Sequence, residues 1–249
     1  MNIGIRPTRR IGPLHLSALR REEALEAIVH HIAERAPLMV AFCNAHSVNI
    51  ARRDERFRTA LSEALLLNDG IGVDIASRWL HGEDFPDNLN GTDLTPALLA
   101  AALPTGIFLL GSPPGVAEIA VEKLARRFPQ HRFVGAQHGY FTPDEEEILA
   151  ARIAASGASL VLVGMGQPRQ EEWAARHFRR IPGVTMCVGA YLDFAAERFA
   201  RAPRWIRAVR AEWLFRLAME PRRLARRYII GNAVFLLAVA RERIARKSG

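Results

Sequence analysis

The sequence predicts an α/β fold with a Rossmann-like parallel sheet and helices on both of its faces. From Gly106 to Val188, short apolar runs alternate with helical segments at a regular spacing, as in consecutive strand–helix units. Glycine directly follows three of these predicted strands, at Gly111, Gly164 and Gly189. Such glycines permit tight turns or close backbone approach where a strand ends. Together, the alternation and the glycines place a ligand site at the carboxyl edge of the sheet.

The individual elements follow from apolar spacing and from turn residues. The predicted strands are Leu38–Phe42, Ile107–Leu110, Arg132–Val134, Ser159–Val163 and Val184–Val188. The predicted helices are Ser17–Arg35, one that begins after Cys43 and runs to about Leu66, one with Ile71, Ile75 and Trp79 on one side, Leu94–Leu103, Val116–Phe128, Asp144–Ala155 and Gln170–Arg180. Residues 81–91 are polar and irregular, and we interpret them as a mobile loop or lid.

The charge of the chain is concentrated near its C-terminal end. Residues 198–249, here called the C-terminal segment, carry 14 basic and three acidic residues, whereas the rest of the chain has a net charge of −3. We therefore predict a body of residues 1–197 and a basic, amphipathic helical appendage of residues 198–249. Such a charge favours a phosphate-rich partner, namely an anionic membrane, a diphosphate or nucleic acid.

Two helices are predicted in the C-terminal segment, Pro203–Met219 and Arg222–Ala240. The apolar face of the first consists of Trp205, Ile206, Val209, Trp213 and Leu217. Basic residues beside such a face are typical of a helix that lies in a membrane interface. The alternative is that these faces pack on the body or on another subunit.

Composition excludes several classes of protein. With only Cys43 and Cys187, a disulfide framework is not expected, and a reduced, cytoplasmic compartment fits. No signal peptide is expected, and no apolar run reaches the roughly 18 residues of a membrane span. The G-x-G-x-x-G fingerprint of a dinucleotide cofactor is missing, which argues against an NAD-dependent oxidoreductase. Neither a D-x-D motif nor a His/Cys cluster is present, so we expect no metal and no cofactor.

Asp69 is the candidate catalytic residue. It follows the apolar run Leu65–Leu67 and precedes Gly70 and a helix, so that its carboxylate is expected at the mouth of an element. A carboxylate half in water and half against apolar surface can be tuned as a general base. The alternative is an Asp that caps the following helix beside a turn glycine.

Candidate binding residues follow other predicted strands or begin helices. Asn44 and His46 come directly after a short apolar strand, where ligands bind in α/β sheets, although Asn44 could equally cap a helix. Asn90, Thr92 and Asp93 begin another helix, which Thr92 or Asp93 could simply cap. The segment Gly164–Glu171 combines two glycines, two amides, an Arg and an acid, which a structural turn rarely needs.

Nine segments, in the same order, resemble the WecG/TagA/CpsF glycosyltransferase family between about Val40 and Tyr228. They are CNAHSVNIA, NDGIGVDIA, NGTDL, FLLGSPPGVAE, GYF, VGMGQPRQEEW, VGAYLDFAA, RAPRW and EWLFRLAMEPRRLARRY. The resemblance implies an inverting, metal-independent transferase of bacterial cell-surface polysaccharide synthesis. It would move a sugar from a UDP-sugar to a polyprenyl-diphosphate-linked acceptor at the cytoplasmic face of the membrane.

The resemblance also implies roles for particular residues. Asp69 matches the family's proposed general base, Asn44 its strand-end Asn, and Arg216, Arg223 and Arg226 the arginines thought to reach the diphosphate. The candidate substrate-binding residues are therefore Asn44, His46, Asn90, Thr92, Asp93, Gly111, Gly164, Gly166, Gln167, Arg169, Gln170, Glu171, Asp193, Arg216, Arg223 and Arg226.

Two positions depart from the family pattern and leave the sugar open. Phe42 stands where many members have Thr, and Asn88 where many have Arg. A hexose, N-acetylmannosamine and its uronic acid are all compatible donors. The competing hypothesis is a non-catalytic module that binds nucleotide or nucleic acid through the basic segment. That segment lacks a recognisable nucleic-acid motif, so we expect no nucleic-acid partner; a homo-oligomer is possible.

Overall fold

A six-stranded parallel sheet forms the centre of the protein, in a computed structural model that describes residues 7–203, 206 and 212–247. Its strand order is β4-β3-β8-β7-β5-β6, and it confirms the predicted fold class. A separate two-stranded antiparallel hairpin precedes it. The strands are β1 Thr8–Ile11, β2 Leu14–Ser17, β3 Leu38–Cys43, β4 Ala64–Asn68, β5 Gly106–Gly111, β6 Arg132–Gln137, β7 Leu160–Gly164 and β8 Val184–Cys187.

Helices cover both faces of the sheet. They are α1 Arg21–Ala33, α2 Ala45–Ala51, α3 Glu55–Ser62, α4 Ile71–His81, α5 Gly91–Ala101, α6 Val116–Arg127, α7 Pro143–Ala155, α8 Arg169–His177, α9 Tyr191–Ala195, α10 Glu212–Met219, α11 Pro221–Ala225 and α12 Gly231–Lys247. A 3₁₀ turn at Phe178–Arg180 follows α8, and a π-helical turn at Arg226–Ile230 joins α11 to α12.

Alternate residues of each strand enter two separate hydrophobic cores. In β3, Met39 and Ala41 pack with α2, α3, α7, α8 and the hairpin. Val40 and Phe42 pack on the opposite face with α1, α5, α6 and α9. This is the period-two pattern of strands that are buried on both faces. Strands β3, β5 and β7 are consequently continuous apolar runs, which is why the sequence reveals them.

Two predictions for the first part of the chain are wrong. Residues Ala64–Asn68 form strand β4, paired with β3, whereas we predict a helix as far as Leu66. An apolar run this short fits either element, and pairing with β3 decides. The helix predicted to begin at Ser17 is α1, which begins at Arg21, because Ser17 ends strand β2. The hairpin itself, which turns at residues 12–13, is not predicted.

Residues 81–91 are anchored along their length. Phe85 and Leu89 are buried, the side-chain amide of Asn68 donates to the carbonyl of Asp87 at 2.8 Å, and Asn88 accepts a hydrogen bond from the backbone of Gly70 at 3.0 Å. A segment held by apolar burial and by hydrogen bonds does not match the predicted mobile lid.

The direction in which the chain adds strands to the parallel sheet reverses between β5 and β7. After β5 the chain continues through α6 on one face to β6, whereas after β7 it continues through α8 on the other face to β8. When the connections after two neighbouring parallel strands go to opposite faces of the sheet, a crevice opens at the carboxyl ends of those strands. The loops that begin at Gly111 and Gly164 lie at this crevice.

The described part of the C-terminal segment packs on the rest of the protein. Helix α12 contacts α2 and α4, and its Phe235 and Val239 are fully buried in the core that contains α2 and α3. The Glu242 carboxylate accepts a hydrogen bond from the backbone N–H of Gly12 at 3.1 Å. One of the two alternatives for the apolar faces of this segment, packing on the body, therefore holds for these residues of α12.

The first helix predicted in the C-terminal segment lies largely outside the described residues. Trp205 and Val209 are not described, whereas Trp213 and Leu217 lie in α10. Within residues 7–203 and 212–247, no helix has both the length and the apolar character to cross a bilayer.

Candidate active site

A cavity of about 1170 Å³ opens at the carboxyl edge of the sheet. Its floor consists of the residues that follow β3, β4, β5, β7 and β8, and its opposite side is lined by residues of α10, the π-helical turn and α12. Ligands of parallel α/β sheets bind at this edge, and the C-terminal segment makes the crevice a partly enclosed cavity.

Asp69 lies in this cavity and does not cap the helix that follows. Gly70 is the N-terminal cap of α4 and makes no side-chain capping bond. The half-buried Asp69 carboxylate accepts a hydrogen bond from Nδ2 of Asn44 at 3.3 Å. Burial raises the pKa of Asp69 above its ordinary value, and the Asn44 hydrogen bond and the charges of Arg227 and Arg216 partly oppose that shift. A carboxylate in such a setting can accept a proton more readily than one in water.

Asn44 caps α2 and also contacts Asp69. Its Oδ1 caps α2 by accepting hydrogen bonds from the backbone N–H groups of His46 and Ser47 at 3.0 and 3.3 Å. Its Nδ2 is directed at Asp69. His46 lines the cavity, and its burial together with the charge of Arg227 lowers the pKa of its imidazole to about 4. His46 is therefore neutral at neutral pH.

The segment Gly164–Glu171 contains one part that lines the cavity and one that supports it. The side-chain amide of Gln167 donates to the carbonyl of Phe42 at 3.2 Å and to Ser47 Oγ at 2.9 Å. This connects the ends of β3 and β7. Gly164, Gly166, Gln167, Arg169 and Gln170 all line the cavity.

Glu171 lies beneath the cavity and does not line it. Its side chain is fully buried, and Oε1 accepts a hydrogen bond from Nε2 of Gln170 at 2.8 Å. Oε1 of Gln170 in turn accepts from the backbone N–H of Gly166 at 3.1 Å. Burial raises the pKa of Glu171 to about 7. The carboxyl group thus orients the Gln170 amide, which holds the loop around Gly166.

Gly111 is required for backbone packing and is not itself among the cavity-lining residues. A Cβ atom at Gly111 would lie 2.3 Å from the carbonyl oxygen of Gly164, and one at Gly164 would lie 2.6 Å from that of Gly189. Contacts this short are not tolerated, so only glycine allows these three strand ends to approach one another. Ser112, which follows Gly111, lines the cavity instead.

Acidic and basic side chains form paired networks on two sides of the cavity. Asn90 caps α5, and Asp93 accepts hydrogen bonds from Asn90 at 2.9 Å and from Arg201 at 2.6 Å. Arg201 also lies 3.8 Å from a carboxylate oxygen of Glu212. Thr92 lines the cavity beside Asp93. These contacts connect the start of α5 with the start of α10.

Asp193 forms the second network with the loop after β5. Its carboxylate accepts a hydrogen bond from Ser112 Oγ at 3.2 Å and pairs with Arg198 at 3.0 Å. All three side chains line the cavity. A short loop and the start of the C-terminal segment are thus held together at its rim.

The predicted arginines are placed differently from one another. Arg216 lines the cavity, where its guanidinium lies 5.6 Å from the ring centroid of Phe194. Arg226 is exposed and is not a lining residue, whereas its neighbour Arg227 is half-buried and lines the cavity. Arg223 lies in α11, and its side chain is outside the described part of the chain.

Several lining residues are not candidates from the sequence. Among them are Ile71, Gly72, Ile75, Asn88, Ser112, Tyr140, Met165, Arg198, Phe199, Glu212, Trp213, Glu220, Leu224, Arg227, Tyr228, Asn232, Phe235 and Leu236. Eleven of these belong to the C-terminal segment, which reaches the cavity only through tertiary packing. Arg227 is the one with a sequence signal, since it adjoins the family-matched Arg226.

In the described residues, no group of three or more His, Cys, Asp or Glu side chains is placed to hold a metal ion.

A large cavity with convergent polar groups, at the edge where parallel strands end, is the arrangement of an α/β enzyme site. The model of the glycosyl transferase WecG/TagA/CpsF family matches residues 9–249, and the chain belongs to this family. Membership makes it a glycosyltransferase of cell-surface polysaccharide synthesis, with a sugar donor and a sugar acceptor.

Proposed function

We propose that the protein is an inverting, metal-independent glycosyltransferase that moves a sugar from a UDP-sugar to a polyprenyl-diphosphate-linked acceptor. The observation that carries this proposal is the position of Asp69. A tuned carboxylate lies inside a cavity large enough for a nucleotide sugar, and arginines of the C-terminal segment line the opposite side.

The reaction needs one proton acceptor and one source of positive charge. The acceptor hydroxyl oxygen attacks the anomeric carbon in line, and its proton passes to the Asp69 carboxylate. The bond between the anomeric carbon and the diphosphate oxygen breaks, and its electron pair leaves with UDP. A single in-line displacement inverts the anomeric configuration. Asn44 holds Asp69 through the 3.3 Å hydrogen bond and so fixes one of its two oxygens.

The departing diphosphate requires stabilisation by groups that are already oriented. Arg216 lies in the cavity as a guanidinium donor. Helix α8 begins beside the cavity-lining loop at Gly164, so its N-terminal N–H groups offer further positive potential. In this proposal these groups take the role that a divalent cation has in other transferases.

The transferred sugar is a hexose, N-acetylmannosamine or its uronic acid. Phe42 and Asn88, the two positions that depart from the family pattern, both line the cavity. A substitution from Thr to Phe adds an apolar ring, and one from Arg to Asn removes a charge. These two residues are therefore the first places to test for donor choice.

Binding of UDP tests the proposal directly. We expect UDP and at least one UDP-sugar to raise the unfolding temperature of the protein, because a ligand that binds only the folded state stabilises it. Calorimetry should show heat with UDP and none with a single-stranded oligonucleotide. Tight oligonucleotide binding without a response to UDP would instead favour the non-catalytic module.

We also propose that the C-terminal segment contacts an anionic membrane at the cytoplasmic face. Seven large apolar side chains of its described residues are exposed, among exposed arginines. The apolar ones include Ile229, Ile230, Leu237 and Ile244, and the arginines include Arg222, Arg226, Arg241 and Arg243. Apolar side chains beside cations suit an interface with acidic headgroups.

Replacing Ile229 and Ile230 by Ser is expected to weaken binding to phosphatidylglycerol vesicles by at least tenfold. Burying one such side chain is worth about 1.5–3 kcal/mol, and 1.4 kcal/mol is a factor of ten. Co-sedimentation measures the change, with Ile148→Ser as the control, because Ile148 is equally exposed but lies on α7. Unchanged binding by the double variant would remove this surface as the contact.

A further inference from the structure

The π-helical turn between α11 and α12 determines which arginine enters the cavity. In this turn the backbone N–H of Gly231 donates to the carbonyl of Arg226, five residues earlier. A π turn contains one residue more than an α turn, which changes the facing of the side chains by about 100°. Here Arg226 is exposed, whereas Arg227 and Tyr228 line the cavity. Such turns occur often at functional sites.

The turn is fixed in place by contacts with the body. The side-chain amide of Asn49, on α2, donates to the carbonyl of Gly231 at 2.7 Å. Four residues later, Phe235 is fully buried in the core. The position of Arg227 is therefore set by the body as well as by its own helix, which matters for a group that must meet developing charge without rearrangement.

Arg227 lies against an aromatic surface and near the candidate base. Its guanidinium is 5.7 Å from the ring centroid of Tyr228, and that ring packs edge-on against Trp213 at 5.9 Å. Stacking on an aromatic face orients a guanidinium while leaving its edge for hydrogen bonds. The charge of Arg227 also lowers the pKa values of both Asp69 and His46, so it acts on the same part of the cavity as the candidate base.

We propose that Arg227 is a catalytic residue that contacts the diphosphate of the donor and stabilises the negative charge of departing UDP. This inference rests on the proposed function. It assigns to Arg227 the contact that the family resemblance gives to Arg226. As the bond to the anomeric carbon breaks, the electron pair moves onto the diphosphate, and a guanidinium is suited to donate hydrogen bonds to two such oxygens at once.

Arg126, which is exposed and does not line the cavity, provides a matched control for Arg227. Arg227→Gln is expected to lower kcat by 10²–10³-fold, the usual cost of removing one group that stabilises transition-state charge. It should also weaken UDP binding while leaving uridine binding unchanged, since uridine has no diphosphate. Arg227→Lys should recover part of the activity, because it retains the charge without the planar fork. Arg126→Gln, with the same change in charge at an exposed position of α6, should alter kcat by less than about threefold, as exposed substitutions do.

Four outcomes separate this inference from the proposed function. If wild-type protein does not bind UDP, the proposed donor is wrong. If it binds UDP but Arg227→Gln keeps its kcat, only the role of Arg227 is wrong. Equal losses in Arg126→Gln and Arg227→Gln would also overturn that role, since they would point to the overall charge of the protein. If the loss in Arg227→Gln comes with equal weakening of UDP and uridine binding, the arginine supports the structure of the cavity and does not contact the diphosphate.

Discussion

Replacing Asp69 with Asn is expected to lower turnover with a lipid-linked acceptor by about 10²-fold or more, while UDP binding survives. The amide keeps the size of the carboxylate and can still contact Asn44, but it cannot accept the hydroxyl proton at neutral pH. Turnover with a polyprenyl-diphosphate-linked acceptor measures the first effect, and calorimetry with UDP measures the second. Asp144→Asn is the control, because Asp144 is exposed in the first turn of α7. Near-normal turnover in the Asp69 variant would remove Asp69 as the base.

The pH dependence of kcat/KM provides a second test of Asp69. Because burial raises the pKa of Asp69, the acid limb of kcat/KM should lie above the ordinary Asp value of about 3.9. Activity should be present above the raised pKa and be lost as the pH falls through it, since protonated Asp69 cannot act as a base. Asn44→Ala removes a hydrogen bond that favours the carboxylate, so it should move this limb to higher pH. A limb that stays in place would mean that Asp69 is not the group that titrates.

Replacing Phe235 with Ala is expected to reduce the free energy of unfolding by about 3–5 kcal/mol. The ring is fully buried in the core that α12 shares with α2 and α4, so its removal leaves a cavity there. Chemical denaturation measures the loss. The matched control is Leu237→Ala on the same helix, which is 62% exposed and should cost no more than about 0.5 kcal/mol.

The Phe235→Ala and Leu237→Ala variants also test whether the body and the C-terminal segment unfold independently. A body of residues 1–197 and an appendage of residues 198–249 remain a prediction. If Phe235→Ala costs no more than Leu237→Ala, α12 does not unfold together with the sheet, and the segment is an independent unit. A large loss in one cooperative transition means that α12 and the sheet unfold together, whatever their functional division.

The parts of the fold that the sequence predicts are those with strong local signals. Strands β5 and β7 are continuous apolar runs between glycines and helical segments, β8 is interrupted only by Thr185, and each is found. Strand β4 is mistaken for the end of a helix because its five residues are too few to show a period. The hairpin is missed because its strands have only four residues each and are interrupted by polar side chains.

The residues of the candidate site also differ in whether a local sequence signal predicts their position. Asp69 and Asn44 directly follow strands, and Gln167 lies in the short loop after β7, so the sequence places all three at the sheet edge. Glu171 lies on α8, which follows β7, but its position beneath the cavity depends on the packing of α8 against β7 and β8. Arg227 depends on a π-helical turn, which no periodicity in the residues indicates.

The hydrogen bonds that Asn44 makes have a consequence for the two carboxylate oxygens of Asp69. Since its oxygen is occupied by two backbone N–H groups at the start of α2, only its nitrogen can meet Asp69, and it does so at Oδ2. The amide cannot flip without uncapping the helix. The two oxygens of Asp69 are thereby made inequivalent before any substrate arrives, and Oδ1 is the atom that would receive the proton.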